Sequence, residues 1–377
     1  MIIGHTFAKW VESHRDLPLL INQWCNVVRW EMRTRMFLRT TEFLWQEGHT
    51  VHASREEAEI EAMRMLEVYS DFCRNSLAIP VIRGEKTPSE RFPGAVNTYT
   101  IEAMMQDRKA LQSGTSHFLG QNFSKSCGIQ FMNKDGVQEY GWTTSWGSTT
   151  RLIGGLIMTH SDDDGLVLPP RIASAHLAII PIIHSEDARA KVLEHCEKLA
   201  AALRKIPYQG LPLNVIVDTR DLRGGEKSWS WIKKGVPLRL EVGPREIDAD
   251  KFGLCRRDKA HRDAIPLSAQ ELEARIVSIL EEMQSSLLQK ATEFRNQHTH
   301  RFDSKKDFYD FFTSKEEVIH GGFALAHWNE DPSIEAKVKE DLNVTIRCIP
   351  LPFSDEPGKC LFTGQPSPRR VIFAKSY

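Results

Sequence analysis

No apolar run in this chain reaches the roughly 20 residues that a bilayer-spanning helix needs, so none is expected. Neither sign of charge dominates: 49 Lys and Arg stand against 50 Asp and Glu, giving a net charge of -1 and a pI of about 6.9. That excludes a wholly basic nucleic-acid binder, and any such contact must be a local patch. The seven cysteines are odd in number and irregularly spaced, which fits reduced thiols in a cytosol better than a disulfide framework. The opening MIIGHTFAKW lacks a charged head, an apolar core and a cleavage site, so no secretory signal is expected. No internal repeat or low-complexity tract breaks the chain. What is present is the composition of an ordinary folded protein, 41% hydrophobic and 26% charged. The 377 residues suggest two or three domains.

Along the chain, INQWCNVVRWE (21–31) and EFLWQEGHTVH (42–52) read as two strands around a polar loop. A helix follows. Ser54 with Glu57 forms a capping box, and Ala58, Ala62, Met65, Leu66, Tyr69 and Phe72 recur at helical spacing. GTSHFLGQNF (114–123) and EYGWTTSWG (139–147) read as strand and loop, and RLIGGLIMTH (151–160) as a helix packed closely on a sheet. The stretch SDDDGLVLPPRIAS (161–174) is a domain boundary by its acids, glycine and prolines. Beyond it strand and helix patterns alternate: HLAIIPII, DARAKVLEHCEKLAAALRK, LNVIVDTR and PLRLEVG, then a helix opened by a capping box of Ser268 and Glu271. The last 80 or so residues are mixed.

The densest chemistry lies in RWEMRTRMFLRTTEFLWQEGHT (29–50), which holds Arg29, Arg33, Arg35 and Arg39. Arginine is always charged and presents a planar fork of donors suited to carboxylate and phosphate oxygens. Such a loop can surround a polyphosphate, with Phe43 stacking on a base and Glu31 accepting from an exocyclic amine. The plain alternative is solvated surface charge. Two features count against it. Arg29 and Glu31 lie in a strand-like apolar run, where they should share a face and need partners. Arg151 opens an apparently buried helix, where a charge usually has a ligand or an ion-pair partner.

R-x-E, a variable loop and FLRTTEFLWQEGHT resemble motif 2 of a class II aminoacyl-tRNA synthetase, and GSTTRLIGGLIMTHSDD resembles motif 3. With GTSHFLGQNFSK and TTSWGSTTR between them, the wording is similar to prolyl-tRNA synthetase of the archaeal and eukaryotic-like type. The resemblance runs from the first residues to FAKSY. It implies a multidomain α+β and α/β chain. Residues 1–168 would be an antiparallel-sheet catalytic core, 173–288 an α/β anticodon-binding domain, and 289–377 a small α+β C-terminal domain. It also implies a reaction: the proline carboxylate attacks the α-phosphate of ATP, and the 3′-terminal hydroxyl of tRNA(Pro) then takes the prolyl group. That chemistry is largely positioning and charge neutralisation at phosphorus.

By the same resemblance, Arg29 would bridge the proline carboxylate and the α-phosphate. Glu31, Arg39 and Thr40 would hold ATP, Phe43 would stack on adenine, and Gln112, Thr115, Thr149 and Arg151 would complete the nucleotide site. Trp45, Phe92 and His117 would form the proline pocket, with Glu47 and Ser145 beside it. Packed aromatics and a satisfied buried histidine are the plain readings of those last groups. ATP with magnesium is the expected cofactor. His49 and His52 hint at a metal, but in a strand they fall on opposite faces, so no ligand role is expected. Asp162, Asp163 and Asp164 with Gly165 lack the distal glutamate of a calcium loop and read as a solvated turn. GGEKS (224–228) lacks the spacing of a phosphate loop.

KSWSWIKKGVPLRLEVGPREI mixes cations with tryptophans, as single-stranded RNA recognition prefers, and offers Lys234, Arg239, Glu241 and Arg245 as anticodon contacts or as strand-surface charges. The C-terminal segment resembles one that often carries a four-cysteine zinc site. Here Ala324, Asn329 and Phe362 stand where cysteines would be expected, beside Cys360 and an isolated Cys348, so no structural zinc is expected. Tyr377 matches the family's closing residue, whose carboxylate is thought to reach the catalytic domain. Recognisable catalytic sequence between Arg29 and Arg151 leaves no room for the bacterial-type editing insertion.

Motif 1 and the Thr-x-Glu loop that binds the proline imino group in the family are expected upstream of Met1. The chain therefore reads as a fragment or mis-started version of a longer enzyme, or as a truncated paralogue. The expected activity is proline–tRNA ligation by a cytoplasmic homodimer with no membrane contact. The competing readings are a non-catalytic RNA-binding or regulatory protein and a class II ligase for another small amino acid.

Overall fold

The computed structural model describes residues 2–183, 185–313 and 319–377. In chain order the first elements are α1 (Ile2–Trp10), β1 (Leu19–Val28), β2 (Glu42–His52), α2 (Arg55–Asp71), β3 (Val81–Glu85), β4 (Asn97–Met104), β5 (Ala110–Gly120) and α3 (Asn122–Cys127). A small hairpin of β6 (Gln130–Met132) and β7 (Gln138–Tyr140) leads to β8 (Trp142–Thr149) and α4 (Arg151–His160). Next come β9 (Leu177–Pro181), α5 (Glu186–Leu203), the short pair β10 (Pro207–Tyr208) and β11 (Leu211–Pro212), and β12 (Val215–Val217). They are followed by α6 (Gly224–Lys233), β13 (Leu238–Val242), α7 (Pro244–Ala249), β14 (Phe252–Arg256), β15 (Ile265–Leu267) and α8 (Ala269–Gln297). The last elements are β16 (Thr299–Phe302), α9 (Lys305–Phe312), β17 (Phe323–His327), α10 (Pro332–Leu342), β18 (Thr345–Pro350), the pair β19 (Gly358–Lys359) and β20 (Pro366–Ser367), and β21 (Arg370–Ala374).

These elements form two compact units: Met1–Cys73, Pro80–Gly155 and Glu293–Tyr377 in one, Arg74–Ile79 and Leu156–Thr292 in the other. The first unit is built on one ten-stranded sheet in the order β1-β2-β8-β5-β4-β3-β18-β21-β17-β16. All its pairs are antiparallel except β16 with β17. The C-terminal strands join those of residues 19–149 edge to edge, through Ile349 opposite Glu85 and Pro350 opposite Gly84.

Period-two alternation sorts the side chains of β2, β8 and β5 between two faces. One face packs on α2. There the Ser116 hydroxyl donates to the Ala62 carbonyl at 2.7 Å and the Tyr69 hydroxyl to Gln46 at 2.6 Å. Gly48 lies opposite Trp146 on β8, and a Cβ at position 48 would fall inside the indole, so only glycine fits. Helix α2 starts where Ser54 accepts from the Glu57 amide at 3.2 Å, a cap of about 1 kcal/mol. Its buried stripe is Ala58, Ala62, Leu66 and Tyr69. Phe72, expected on that stripe, is 43% exposed, because the winding widens to a π-turn over Phe72–Ser76.

A polar knot lies inside this unit. Lys86 Nζ donates to Glu102 Oε1 at 2.9 Å and to the Arg347 carbonyl at 2.7 Å. Arg347 Nε and Nη2 both reach Glu102 Oε2 at 3.1 Å. Glu102, on β4, is fully buried. Burial works against its ionisation, but Arg347 and Lys86 outweigh it and hold its pKa below the usual carboxylate range.

The second unit has a five-stranded sheet in the order β12-β9-β13-β14-β15, with β12, β9 and β13 parallel and the rest antiparallel. Leu177, Ile179, Val192, Leu199, Leu240, Ile276 and Leu280 are among its core residues. The capping box of α8 is present in full: Ser268 N donates to Glu271 at 2.8 Å and Glu271 N to Ser268 at 3.2 Å. The acidic turn after α4 is not simply solvated, since Asp162 takes both Nη atoms of Arg257 at 2.8 and 2.5 Å. Among the described residues no helix is long and apolar enough to cross a membrane.

Candidate active site

The expected first strand was to run through Glu31, but β1 ends at Val28. Arg29 and Glu31 therefore do not alternate along a strand. They lie in the connection to β2, held where the Arg29 amide donates to the Thr41 carbonyl at 2.7 Å. Arg35 and Arg39 bridge each other backbone to backbone at 2.6 and 2.9 Å, which doubles this connection back on itself. Its buried anchor is Leu38, which packs where Gly154 of α4 has no Cβ to meet it. Glu31 is the common acceptor of the loop. Arg39 Nε donates to it at 2.8 Å, the Arg33 amide at 3.2 Å, and Arg29 Nη2 lies 3.9 Å away. The Arg39 hydrogen bond, then that from Arg33, holds its pKa low.

The strand register explains what surrounds the loop. Trp45 lies opposite Thr149, Glu47 opposite Gly147 and His49 opposite Ser145 on β8. Thr115 lies opposite Gly147, and His117 opposite Ser145, across β8 and β5. These odd-numbered positions share the face away from α2. A bulge between the pairs of Ile101 and Glu102 shifts β5 by one residue, so Gln112 joins Thr115 and His117 in lining the same cavity. The cavity is about 440 Å³. Arg29, Thr40, Phe43, Trp45, Glu47, Phe92, Gln112, Thr115, His117, Ser145, Thr149 and Arg151 all line it. Glu31 and Arg39 do not line it: Glu31 pairs with Arg39 and stands 3.9 Å from Arg29, and Arg39 lines an adjoining cavity.

Arg151 starts α4, and its amide donates to the Thr149 hydroxyl at 3.1 Å. Its guanidinium spends Nε on the Leu38 carbonyl at 3.0 Å and Nη1 on that of Gln112 at 3.3 Å. Burial first, then the charges of Arg29 and Arg39, push its pKa down. Three cations share one nearby carboxylate, Glu31, which pairs with Arg39 and stands 3.9 Å from Arg29, and the remaining positive charge makes a place for an anion. Arg29 lies over the Phe43 ring at 5.0 Å, and Phe43 meets Trp45 edge-on at 5.9 Å. The Thr40 hydroxyl donates to the Glu42 carbonyl at 2.7 Å.

At the other end of the cavity Phe92 packs on His117 with ring centroids 4.8 Å apart. Trp45 Nε1 donates to Cys25 Sγ at 3.0 Å. His117 Nδ1 lies 3.0 Å from the Thr98 hydroxyl, which also accepts from the Phe92 amide at 3.0 Å. Burial lowers the His117 pKa to about 4, so near pH 7 it is neutral and packs as a flat polar wall. Glu47 accepts from Gln23 at 2.9 Å and lies 2.9 Å from His49 Nε2. Burial raises its pKa, and those two contacts outweigh it and keep the carboxylate ionised. His49, considered in the sequence only as a metal ligand, thus partners Glu47. The two stand two residues apart on the strand read over 42–52, so alternation already places them on one face.

The anticodon candidates fare unevenly. Lys234 is exposed, with Nζ 4.6 Å above the Trp231 ring, and Arg245 is exposed at the start of α7. Arg239 and Glu241 share a face of β13, but Arg239 is only 4% exposed, with Nε and Nη1 lacking protein partners. Arg239 is therefore not a surface charge. In the C-terminal strands Ala324, Cys348 and Cys360 are buried, and burial pushes the Cys348 thiol up to about 12. Among the described residues no group of three or more His, Cys, Asp or Glu gathers to hold a metal.

Comparison with known proteins adds the family. Residues 2–160 match the tRNA synthetase class II core domain (G, H, P, S and T), residues 176–279 an anticodon binding domain, and residues 313–377 the prolyl-tRNA synthetase C-terminal domain. The chain is 57% identical over 383 residues to proline–tRNA ligase 2 of Anaeromyxobacter dehalogenans, covering all of this chain and 75% of that one. It is 57% identical over 380 residues to the proline–tRNA ligase of Protochlamydia amoebophila, again with 100% and 75% coverage. To the proline–tRNA ligase of Porphyromonas gingivalis it is 49% identical over 377 residues, covering 100% and 74%. This chain belongs to the class II prolyl-tRNA synthetase family.

Proposed function

We propose that this chain joins L-proline to tRNA(Pro) at the expense of ATP, through a prolyl-adenylate. The observation that carries this reading is the single cavity where β2, β8, β5 and α4 bring a cationic end beside a small aromatic end. A proline carboxylate oxygen would form a bond to the α-phosphorus while the bond to pyrophosphate breaks. Negative charge builds on the phosphoryl oxygens, and the forks of Arg29 and Arg151 would meet it. Arg39, Thr40, Gln112, Thr115 and Thr149 would fix the nucleotide, and Phe43 would offer its ring to adenine. Trp45, Phe92 and His117 would bound the pyrrolidine ring, with Glu47 and Ser145 at its polar edge. Magnesium would enter as a companion of the triphosphate, held chiefly by its phosphates and by water, since Glu31 is outside the cavity lining and already paired with Arg39. Bound so, it would draw charge from the leaving pyrophosphate.

The test is proline-dependent exchange of labelled pyrophosphate into ATP. Exchange with proline and not with other small amino acids is expected. Exchange only by a chain extended at its N-terminus would keep the ligase reading, and binding of tRNA(Pro) with no exchange by either chain would favour a regulatory protein. In the transfer step, Lys234→Ala and Arg245→Ala are expected to raise the KM for tRNA(Pro) and leave exchange unchanged.

A cytoplasmic homodimer is the assembly that suits this reading. β1 is an edge strand, and Leu20, Trp24 and Val28 on one of its faces are 50%, 83% and 74% exposed. Such an edge invites a partner. Sedimentation at micromolar concentration should give twice the chain mass, and Trp24→Asp should return the monomer. A monomer at every concentration would count against it.

A further inference from the structure

Strand β2 walls one side of the cavity, and β1 stands one strand behind it. Their antiparallel register sets Gln23 opposite Glu47, Cys25 opposite Trp45 and Val27 opposite Phe43. The three β2 residues line the cavity and the three β1 residues do not. Directly opposite residues of an antiparallel pair share a face, with Cβ atoms about 4.5–5.5 Å apart. In two of these pairs a β1 side chain grips the lining one. Trp45 Nε1 donates to Cys25 Sγ at 3.0 Å, and Gln23 Nε2 donates to Glu47 Oε2 at 2.9 Å.

Trp45 is otherwise held by shape. Its six-membered ring lies over Gly147 of β8, where an added Cβ would come within 3.5 Å of Cε3 and Cζ3. Phe43 meets it edge-on at 5.9 Å. Shape alone leaves the indole two orientations, because the torsion that turns an aromatic ring on its Cβ is broad and roughly two-fold. The N–H removes that freedom. An indole N–H shielded from water needs an acceptor, and here the acceptor is the Cys25 sulfur. Cys25 therefore selects one orientation of the ring, and with it the shape of the slot that Trp45 bounds. Glu47 differs in having a second partner, His49 at 2.9 Å.

We propose that Cys25 and Gln23 are positioning residues for the amino acid, Cys25 fixing the Trp45 wall that sets ring size and Gln23 fixing the Glu47 carboxylate at its polar edge. This rests on the reading of Trp45 and Glu47 as proline contacts. Rejecting a ring one methylene wider depends on a wall that does not yield, since a methylene is worth only about 1–3 kcal/mol in a pocket. A wall free to turn gives up part of that, and ordering it on binding weakens the proline complex.

The test is pyrophosphate exchange with proline and with its four-membered and six-membered ring analogues, in whichever chain exchanges, this one or the one extended at its N-terminus. Cys25→Val removes the acceptor at similar volume. It should raise the KM for proline about five- to ten-fold and cut the preference for proline over the six-membered ring by a similar factor. The KM for ATP should stay within about two-fold, because Phe43 is also held by Arg29 on its face. Cys25→Ser keeps an acceptor and should restore both proline values. Gln23→Leu should raise the KM for proline about three-fold and leave the ring-size preference unchanged, since His49 still holds Glu47 and Trp45 is untouched. The melting temperature should not move in any of them. A second readout needs no turnover. The indole N–H signal of Trp45 in the 377-residue chain, identified by its loss in Trp45→Phe, should shift in Cys25→Val and return in Cys25→Ser. Unchanged proline kinetics in Cys25→Val, an equal loss in Cys25→Val and Cys25→Ser, or an unmoved indole signal would overturn the role of Cys25. If one chain exchanges and the variants match it, the positioning role alone fails. If neither chain exchanges, the ligase reading fails and this role with it.

Discussion

Arg151→Ala is expected to lower proline-dependent pyrophosphate exchange by about a thousand-fold, in line with losses on removing a preorganised cation from a phosphoryl-transfer site. The side chain is half-committed. Nε and Nη1 are used on the carbonyls of Leu38 and Gln112, which fix the guanidinium and leave three N–H donors, two of them on Nη2, for a ligand. Burial and the neighbouring Arg29 and Arg39 make it a reluctant cation, and an arriving anion relieves that. The two carbonyls line an open cavity, so water can satisfy them and the fold should survive. Arg151→Lys should recover only a small part, because a point charge cannot reach both carbonyls and a phosphate. Exchange within ten-fold of the unsubstituted chain for Arg151→Ala would remove this residue from the mechanism.

Glu102→Ala should be the most destabilising single change described, at about 3–5 kcal/mol, because it leaves Lys86 and Arg347 buried without their shared anion. Glu102→Gln should be milder in volume but similar in sign. The linkage to pH follows from the lowered pKa. The unfolded carboxylate titrates near 4.5, and the folded one below it. The stabilisation is therefore complete above the unfolded value and is lost as pH falls through the folded one. Urea unfolding monitored at neutral pH and in steps below pH 5 reads both effects. A loss under about 1 kcal/mol at neutral pH would mean that the cluster relaxes by admitting water.

The same cluster marks where sequence reading stops. Glu102 on β4 and Arg347 on β18 come from distant parts of the chain, and no pattern in either neighbourhood names the other. The C-terminal residues were read as a small domain and match one, and their strands also extend the first unit's sheet through the β18–β3 pair, which no local pattern announces. Strand pairing between remote segments depends on which edges are left free, and local periodicity carries no information about that. The end of β1 is a similar case. Apolar residues continue through Trp30, but the hairpin needs its polar connection from Arg29 onward, and pairing with β2 decides the boundary.

The sequence by itself determined the elements and the chemistry. The run EFLWQEGHTVH marked β2 to its observed bounds, RLIGGLIMTH marked α4, and the ordered motifs around Arg29 and Arg151 named the family and the residues to inspect. These are properties of neighbouring residues, and a chain carries them openly. The tertiary structure decided which of those residues meet. It put Glu47, Ser145 and His117 on adjoining strands of one face, turned Gln112 into the cavity by a bulge, and buried Arg239 where a surface charge was allowed. It also set Tyr377 against Arg35. Each of these depends on strand order and register, which are fixed by the burial of whole faces and not by any short stretch of chain.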